Sequence, residues 1–206
     1  MIDITKKMQA QVQLNNMDVD QIRKEFPVLI NQPELIYFDN ACMSLRPISV
    51  IEAINKYYTE YPVCGGRSAY KLADKLTQDG EGVRTKIAKF IGAKKREEII
   101  FTKNTTEAIN FVANSLNLSE GDIVLGTDKE HNSNLVPWLR LVKQKGIFYK
   151  TVPSYEDNTF DLDAFKKMVS GAKVVAMVMT SNLDGVSIPV KEIIKISHEA
   201  GAVVLL

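Results

Sequence analysis

The sequence predicts an α/β fold in which a mostly parallel sheet carries helices on both faces, preceded by a helical N-terminal segment. From residue 98 onward, short apolar runs alternate with segments whose apolar residues recur at helical spacing. The run at 173–179 is apolar on both sides of a strand, as is typical of strands buried in a parallel sheet. This alternation is the pattern of a largely parallel sheet that is covered on both sides.

The elements of this part follow from the apolar runs and from the residues that end them. We expect strands at 98–101, 123–125, 148–152, 173–179 and 202–206, and helices at 107–116, 134–145, 161–169 and 189–200. Gly146, Gly171 and Gly201 follow three of these helices. Glycine adopts the left-handed backbone that commonly ends a helix, so these positions are predicted helix ends.

The chain before residue 98 is predicted to be mainly helical. Residues 1–36 are expected to form an N-terminal arm (1–17) and a short helix (18–26) that stops at Pro27. The elements predicted next are a strand at 35–38, a helix at 47–58 and a helix at 68–90 with a kink or break at Gly80 and Gly82.

Composition limits the class of protein. The chain has 206 residues, 45% of them hydrophobic and 25% charged, with a net charge of +1. These values are ordinary for a globular domain, and the near-zero charge argues against nucleic-acid and membrane partners. Two cysteines are too few for a disulfide scaffold or a zinc site, and they favour a cytoplasmic location. No metal site is expected.

Polar residues follow three of the predicted strands. Asn104-Thr105-Thr106 precedes the helix at 107–116, His131 follows the second strand, and Asn182 follows the strand at 173–179. Because parallel strands end at one edge of a sheet, we expect these groups on one rim. Two hydroxyls at a helix N-terminus can bind a phosphate. The alternative is that Asn104 or Thr105 only caps the helix.

Four segments of the chain resemble the class V aminotransferase group of pyridoxal-phosphate enzymes, which have the type I fold. They are Tyr37–Pro47, Asn104–Asn110, Glu130–Trp138 and Thr180–Gly185, in the order and spacing of that family. Within the group, the chain is most similar to the cysteine desulfurases. The resemblance implies that residues 37–206 are the first part of the large cofactor-binding domain, with the rest of that domain and the small C-terminal domain absent.

The resemblance assigns cofactor-binding roles to four residues. Thr105 and Thr106 would hold the phosphate of pyridoxal 5′-phosphate. His131 would stack on the pyridine ring and act on protons, so it is the predicted catalytic residue of this chain. Asn182 would hydrogen-bond the 3-oxygen of the ring.

The resemblance also implies a substrate side. Asn40, Ala41 and Cys42 would line it, and Arg67 lies where the family places a loop near the partner subunit's site. Asn132 stands where close relatives often have a second histidine, and Cys42 stands where a small alanine is common. Both differences are expected to affect which substrate the enzyme accepts.

The family's Schiff-base lysine and persulfide cysteine do not match any position here, so we expect an amino-terminal half that is inactive by itself. When complete, it would be a homodimeric cysteine desulfurase that acts on a small amino acid. It would pass sulfur to an acceptor protein in sulfur metabolism and iron–sulfur cluster assembly. Two alternatives stay open: another member of the group, such as a selenocysteine lyase or an epimerase-like enzyme, and a degenerate, non-catalytic α/β binding module.

Overall fold

The computed structural model describes residues 18–206, so the arm predicted for residues 1–17 lies outside the described residues. The described chain forms two compact units, one ending at Ile99 and the other running from Ile100 to Leu206. The domain boundary expected after residue 36 lies inside the first unit and stays a prediction. In neither unit is a described helix both long and apolar enough to cross a membrane.

The first unit is helical. Its elements are α1 (Val19–Arg23), α2 (Pro27–Asn31), α3 (Ile48–Glu60), α4 (Lys71–Ile91) and one 3-10 turn (Arg96–Glu98). Asp18 begins α1 by accepting a hydrogen bond from the Gln21 N–H at 3.0 Å. Pro27 lies just after the predicted first helix, as expected. It also begins α2, a helix that was not predicted from the sequence. Proline suits this first position because its ring holds a helical φ and no N–H is needed there.

Helix α4 runs without a break through Gly80 and Gly82, so the break that was the stronger form of the expectation there is wrong, and a kink stays a prediction. Glycine costs a helix about 1 kcal/mol relative to alanine, but unlike proline it keeps the backbone N–H that the helix needs. The helix ends at Gly92, whose φ of +76° is in the left-handed region.

The strands predicted at 35–38 and 98–101 are also wrong. Both segments are irregular, apart from Glu98, which closes the 3-10 turn. Ile36 is 76% exposed and Ile100 is 63% exposed. A strand forms only beside another strand whose backbone N–H and C=O groups can hydrogen-bond to its own. No strand within residues 18–206 pairs with either segment.

The second unit is the predicted α/β layer structure. Its strands are β1 (Ile123–Thr127), β2 (Phe148–Val152), β3 (Ala172–Ala176) and β4 (Val203–Leu205), and its helices are α5 (Thr105–Ser115), α6 (Asn132–Lys145), α7 (Leu162–Met168) and α8 (Val190–Glu199). The strand order is β2-β1-β3-β4, and every pairing is parallel. The predicted fold class is therefore confirmed, together with each element predicted after residue 106.

Successive residues of the strands face opposite sides of the sheet, and each side has its own core. Val124 of β1 packs in a cluster that also contains Trp138 of α6 and Ala113 of α5. Leu125 packs in a second cluster with Phe165 of α7 and Ile193 of α8. These apolar contacts, worth roughly 25 cal/mol per Å² of buried surface, hold the helices on both faces.

The chain leaves β1 toward β2 on one side and returns through β3 toward β4 on the other. The order of the strands therefore reverses between β1 and β3. In open α/β sheets, ligands bind beyond the carboxyl ends of the strands at such a reversal.

Candidate functional site

A cavity of about 290 Å³ lies at the carboxyl ends of the strands in the second unit. It is near the lower end of the ~300–1,000 Å³ range of small-molecule pockets. Its polar lining consists of Thr105, Glu130, His131, Ser133 and Asn134. Apolar side chains of α5, of residues 177–179 and of residues 205–206 form the remaining wall.

The N-terminus of α5 contributes Thr105 to this cavity. Asn104 is the residue that caps the helix, since its Oδ1 accepts a hydrogen bond from the Glu107 N–H at 2.9 Å. The capping alternative is therefore right for Asn104, and it leaves Thr105 and Thr106 as the first two helical residues. Thr106 lines a smaller neighbouring cavity of about 170 Å³ together with Asn132.

His131 caps α6 and faces the same cavity. Its Nδ1 accepts a hydrogen bond from the Ser133 N–H at 3.1 Å and lies 2.8 Å from the Ser133 hydroxyl. The N–H donor fixes Nδ1 as an acceptor, so the proton of the neutral ring is on Nε2. The helix thereby holds the imidazole in one orientation.

Glu130 is a residue whose role the sequence analysis missed. Its Oε1 accepts hydrogen bonds from the Val178 N–H at 2.9 Å and from the Thr127 hydroxyl at 2.7 Å. Its Oε2 accepts from Asn134 Nδ2 at 2.8 Å, and Asn134 Oδ1 accepts from Trp138 Nε1 at 3.2 Å. The carboxylate thus joins the carboxyl ends of β1 and β3 to α6 at the reversal point. The sequence carries no signal for this role, since the Val178 partner lies 48 positions away in the chain.

Asn182 lies in a tight loop that follows β3 and does not line the cavity. Thr180 and Ser187 form an antiparallel bridge at the base of this loop. Ser181 is buried and its N–H donates to the Val186 carbonyl at 3.0 Å. Asn182 itself is exposed. Its predicted contact with the ring stays a prediction, as do the roles of Thr105, Thr106 and His131.

The predicted substrate-side residues belong to the first unit. Asn40, Ala41 and Cys42 lie in an exposed turn, where the Cys42 N–H donates to the Asp39 carbonyl at 3.1 Å. Arg67 is also exposed. Their roles stay predictions.

The residues around the cavity fit a small phosphorylated aromatic ring. The N-terminus of α5 offers backbone N–H groups, a threonine hydroxyl and the positive end of the helix dipole, which together suit a phosphate. The imidazole of His131 and the apolar wall suit a flat ring. Among residues 18–206, no group of three or more His, Cys, Asp or Glu side chains is arranged to hold a metal ion.

Comparison with known proteins gives a consistent picture. The family model for class V aminotransferases matches residues 36–206. A probable cysteine desulfurase of Halalkalibacterium halodurans is 42% identical to this chain, over 92% of the chain and 48% of that protein. A probable cysteine desulfurase of Synechocystis is also 42% identical, over 90% of the chain and 46% of that protein.

Solved structures agree. The apo cysteine desulfurase of Thermococcus onnurineus superposes with a TM-score of 0.84 at 40% identity, covering 90% of this chain and 46% of that one. The cysteine desulfurase CsdA of Escherichia coli gives a TM-score of 0.79 at 31% identity, covering 91% and 48%. The chain thus spans about half the length of the relatives that it matches.

Proposed function

The chain belongs to the class V aminotransferase family, and we propose that it supplies about half of a pyridoxal-phosphate-dependent cysteine desulfurase. Such an enzyme converts L-cysteine to L-alanine and carries the sulfur as an enzyme persulfide. The observation that supports this most is the cavity at the carboxyl ends of β3 and β4, which Thr105 and His131 line together. The curated relatives at 42% identity are probable cysteine desulfurases.

Pyridoxal phosphate, when bound, supplies an electron-accepting ring that stabilises negative charge at the substrate Cα. In the proposed site, the hydroxyls of Thr105 and Thr106 and the N–H groups of the first turn of α5 bind the phosphate. His131 would stack on the pyridine ring of the cofactor and move a proton at its own Nε2, the nitrogen that bears the proton in the neutral imidazole. Asn182 would donate from its side-chain amide to the 3-oxygen of the cofactor.

We also propose that Asn40, Ala41, Cys42 and Arg67 act on the substrate in the complete enzyme. Neither Cys42 nor Cys64 is assigned the persulfide, although both thiols are exposed. The complete enzyme is proposed to be a cytoplasmic homodimer that passes sulfur to an acceptor protein for iron–sulfur cluster assembly. By itself, this chain is expected to be inactive, since it spans about half of its relatives.

The experiment is to measure alanine and sulfide released from L-cysteine by the complete enzyme, with a thiol reductant present. We expect the two products in equal amounts. His131→Ala should slow alanine formation by at least about 10²-fold while leaving pyridoxal phosphate bound, because it removes a proton-transfer group.

His198→Ala is the matched control, because His198 is an exposed histidine on α8, away from the cavity. It should leave the rate unchanged. Alanine formation from L-selenocysteine alone would assign the enzyme to another reaction, and full activity in His131→Ala would remove that residue from the mechanism.

A further inference from the structure

Lys129 joins the three loops that follow β1, β2 and β3. It lies in the first of these loops, directly before Glu130. Its Nζ is 2.5 Å from Asp184 Oδ2 in the loop after β3. The same ammonium donates to the Asn158 carbonyl at 2.7 Å in the loop after β2. Only 14% of the Lys129 side chain and 27% of the Asp184 side chain are exposed, so solvent and salt screen the pair less than a surface pair.

Asp184 in turn organises the loop that carries Asn182. Its second carboxylate oxygen, Oδ1, accepts from the Val186 N–H at 3.0 Å. The Leu183 N–H donates to the Ser181 hydroxyl at 3.1 Å. Asn182 therefore sits between two residues whose backbone positions are set by local hydrogen bonds, and Asp184 ties this closed loop to Lys129.

The charge environment agrees with this geometry. The Lys129 ammonium, together with the Val186 N–H, lowers the pKa of the Asp184 carboxyl below its ordinary value. The carboxylate is thus ionised at neutral pH, and the tether is a charge-assisted hydrogen bond.

We propose that Lys129 is a positioning residue for Asn182: by binding Asp184 and the Asn158 carbonyl, it holds the Asn182 loop at the carboxyl end of the sheet. The pairing joins residues 55 positions apart in the chain. The effect on the ring's 3-oxygen rests on the proposed function, whereas the tether itself does not.

The tether is tested by hydrogen exchange on this chain without cofactor. In Lys129→Met, the amides of Ser181, Leu183 and Val186 should exchange at least about tenfold faster. The free energy of local opening is lower in this variant, because no ion pair has to be broken. Lys129→Arg should keep most of the protection, since guanidinium can make the same pair.

The chain offers a matched control. Lys173 pairs with Asp122 at 2.9 Å, and this pair bridges β3 and the residue before β1 at the opposite end of the sheet. Lys173→Met should leave the Asn182 loop unchanged. Equal protection in Lys129→Met and the unmodified chain would overturn the tether. If Lys129→Met fails to fold, Asp184→Asn replaces it, with the same expected acceleration.

The positioning role is tested with pyridoxal phosphate and its 3-deoxy analogue, titrated into the complete enzyme. The unmodified protein should bind pyridoxal phosphate more tightly than the analogue. Asn182→Ala and Lys129→Met should both reduce this preference, whereas Lys173→Met should leave it unchanged. In the double variant Asn182→Ala/Lys129→Met, the reduction should be smaller than the product of the two single reductions, because both act through the same contact. An intact preference in Lys129→Met would overturn the positioning role. Failure of the unmodified protein to bind pyridoxal phosphate would instead refute the proposed function, and hydrogen exchange would still decide the tether.

Discussion

Replacing Glu130 by glutamine should destabilise the second unit although the two side chains have nearly the same shape. The amide oxygen of glutamine can still accept from Val178 and Thr127, as Oε1 does. The amide nitrogen then faces Asn134 Nδ2, which is also a donor. Asn134 cannot rotate its amide to accept, because its Oδ1 already accepts from Trp138 Nε1. One hydrogen bond is lost and two donors oppose each other.

The magnitude follows from these contacts. A hydrogen bond to a charged group contributes roughly 1.5–3 kcal/mol, so Glu130→Gln should lower the free energy of unfolding by about that amount. Glu130→Ala removes all of the acceptors at once. This variant should lower the free energy of unfolding by about 3–4 kcal/mol, which is less than the sum over the separate hydrogen bonds. The reason is that Glu130 borders the cavity, where water can take over some of those hydrogen bonds.

Urea unfolding of this chain at neutral pH measures both variants. Glu192→Gln is the control, because the Glu192 side chain is exposed at the start of α8 and forms a surface ion pair with Lys166 at 3.4 Å. It should change the free energy of unfolding by less than about 0.5 kcal/mol. Adding Asn134→Asp to Glu130→Gln should restore part of the stability, since the new carboxylate can accept from both the glutamine amide and Trp138. Unchanged stability in Glu130→Gln, or a double variant weaker than the single one, would refute the reasoning.

Four other contacts each lead to a testable prediction. Thr106→Val should weaken pyridoxal phosphate binding by the complete enzyme by about 1.5–3 kcal/mol, one charge-assisted hydrogen bond, and an unchanged dissociation constant would remove Thr106 from the site. Gly126→Ala should destabilise the chain by about 1–3 kcal/mol in urea unfolding, because a Cβ there would lie 1.8 Å from the Tyr149 hydroxyl. Tyr149→Phe should be neutral or stabilising, since burial raises the pKa of that phenol and its oxygen has no hydrogen-bond partner in the described part of the chain; a large loss of stability would contradict this. Because the Lys129 hydrogen bond lowers the pKa of Asp184 in the folded state, the unfolded carboxyl takes up a proton first as the pH falls. Protection of the loop at 181–187 against hydrogen exchange should therefore be constant above about pH 5 and decline below about pH 4. In Asp184→Asn, this decline in protection should be absent.

Local signals in the sequence were sufficient for the α/β part of the chain. Apolar runs predicted β1 to β4, and the glycines at 146, 171 and 201 correctly predicted where three helices end, since each has a positive φ. The rim position of His131 also followed, because a parallel sheet brings the ends of its strands to one edge. Thr105 lines the same cavity, although the strand predicted before it does not form. All these features depend on residues within a few positions of each other, or on a rule that applies to every parallel sheet.

The errors lie where the outcome depends on distant neighbours. Residues 35–38 and 98–101 have the composition of strands, yet a strand forms only beside a partner, and composition does not name one. The uninterrupted α4 is a different case. There, Gly80 and Gly82 weaken the helix only modestly, which is not enough to end it.

The sequence by itself therefore determined the fold class, the family and the position of His131 at the carboxyl edge of the sheet. Only the tertiary structure showed that Glu130 joins β1, β3 and α6, and that Lys129 reaches Asp184 across 55 positions. Both residues look like ordinary solvated charges in the sequence. Their partners are backbone and side-chain groups that become neighbours only after the strands pair, because the register of the sheet sets which loop ends meet.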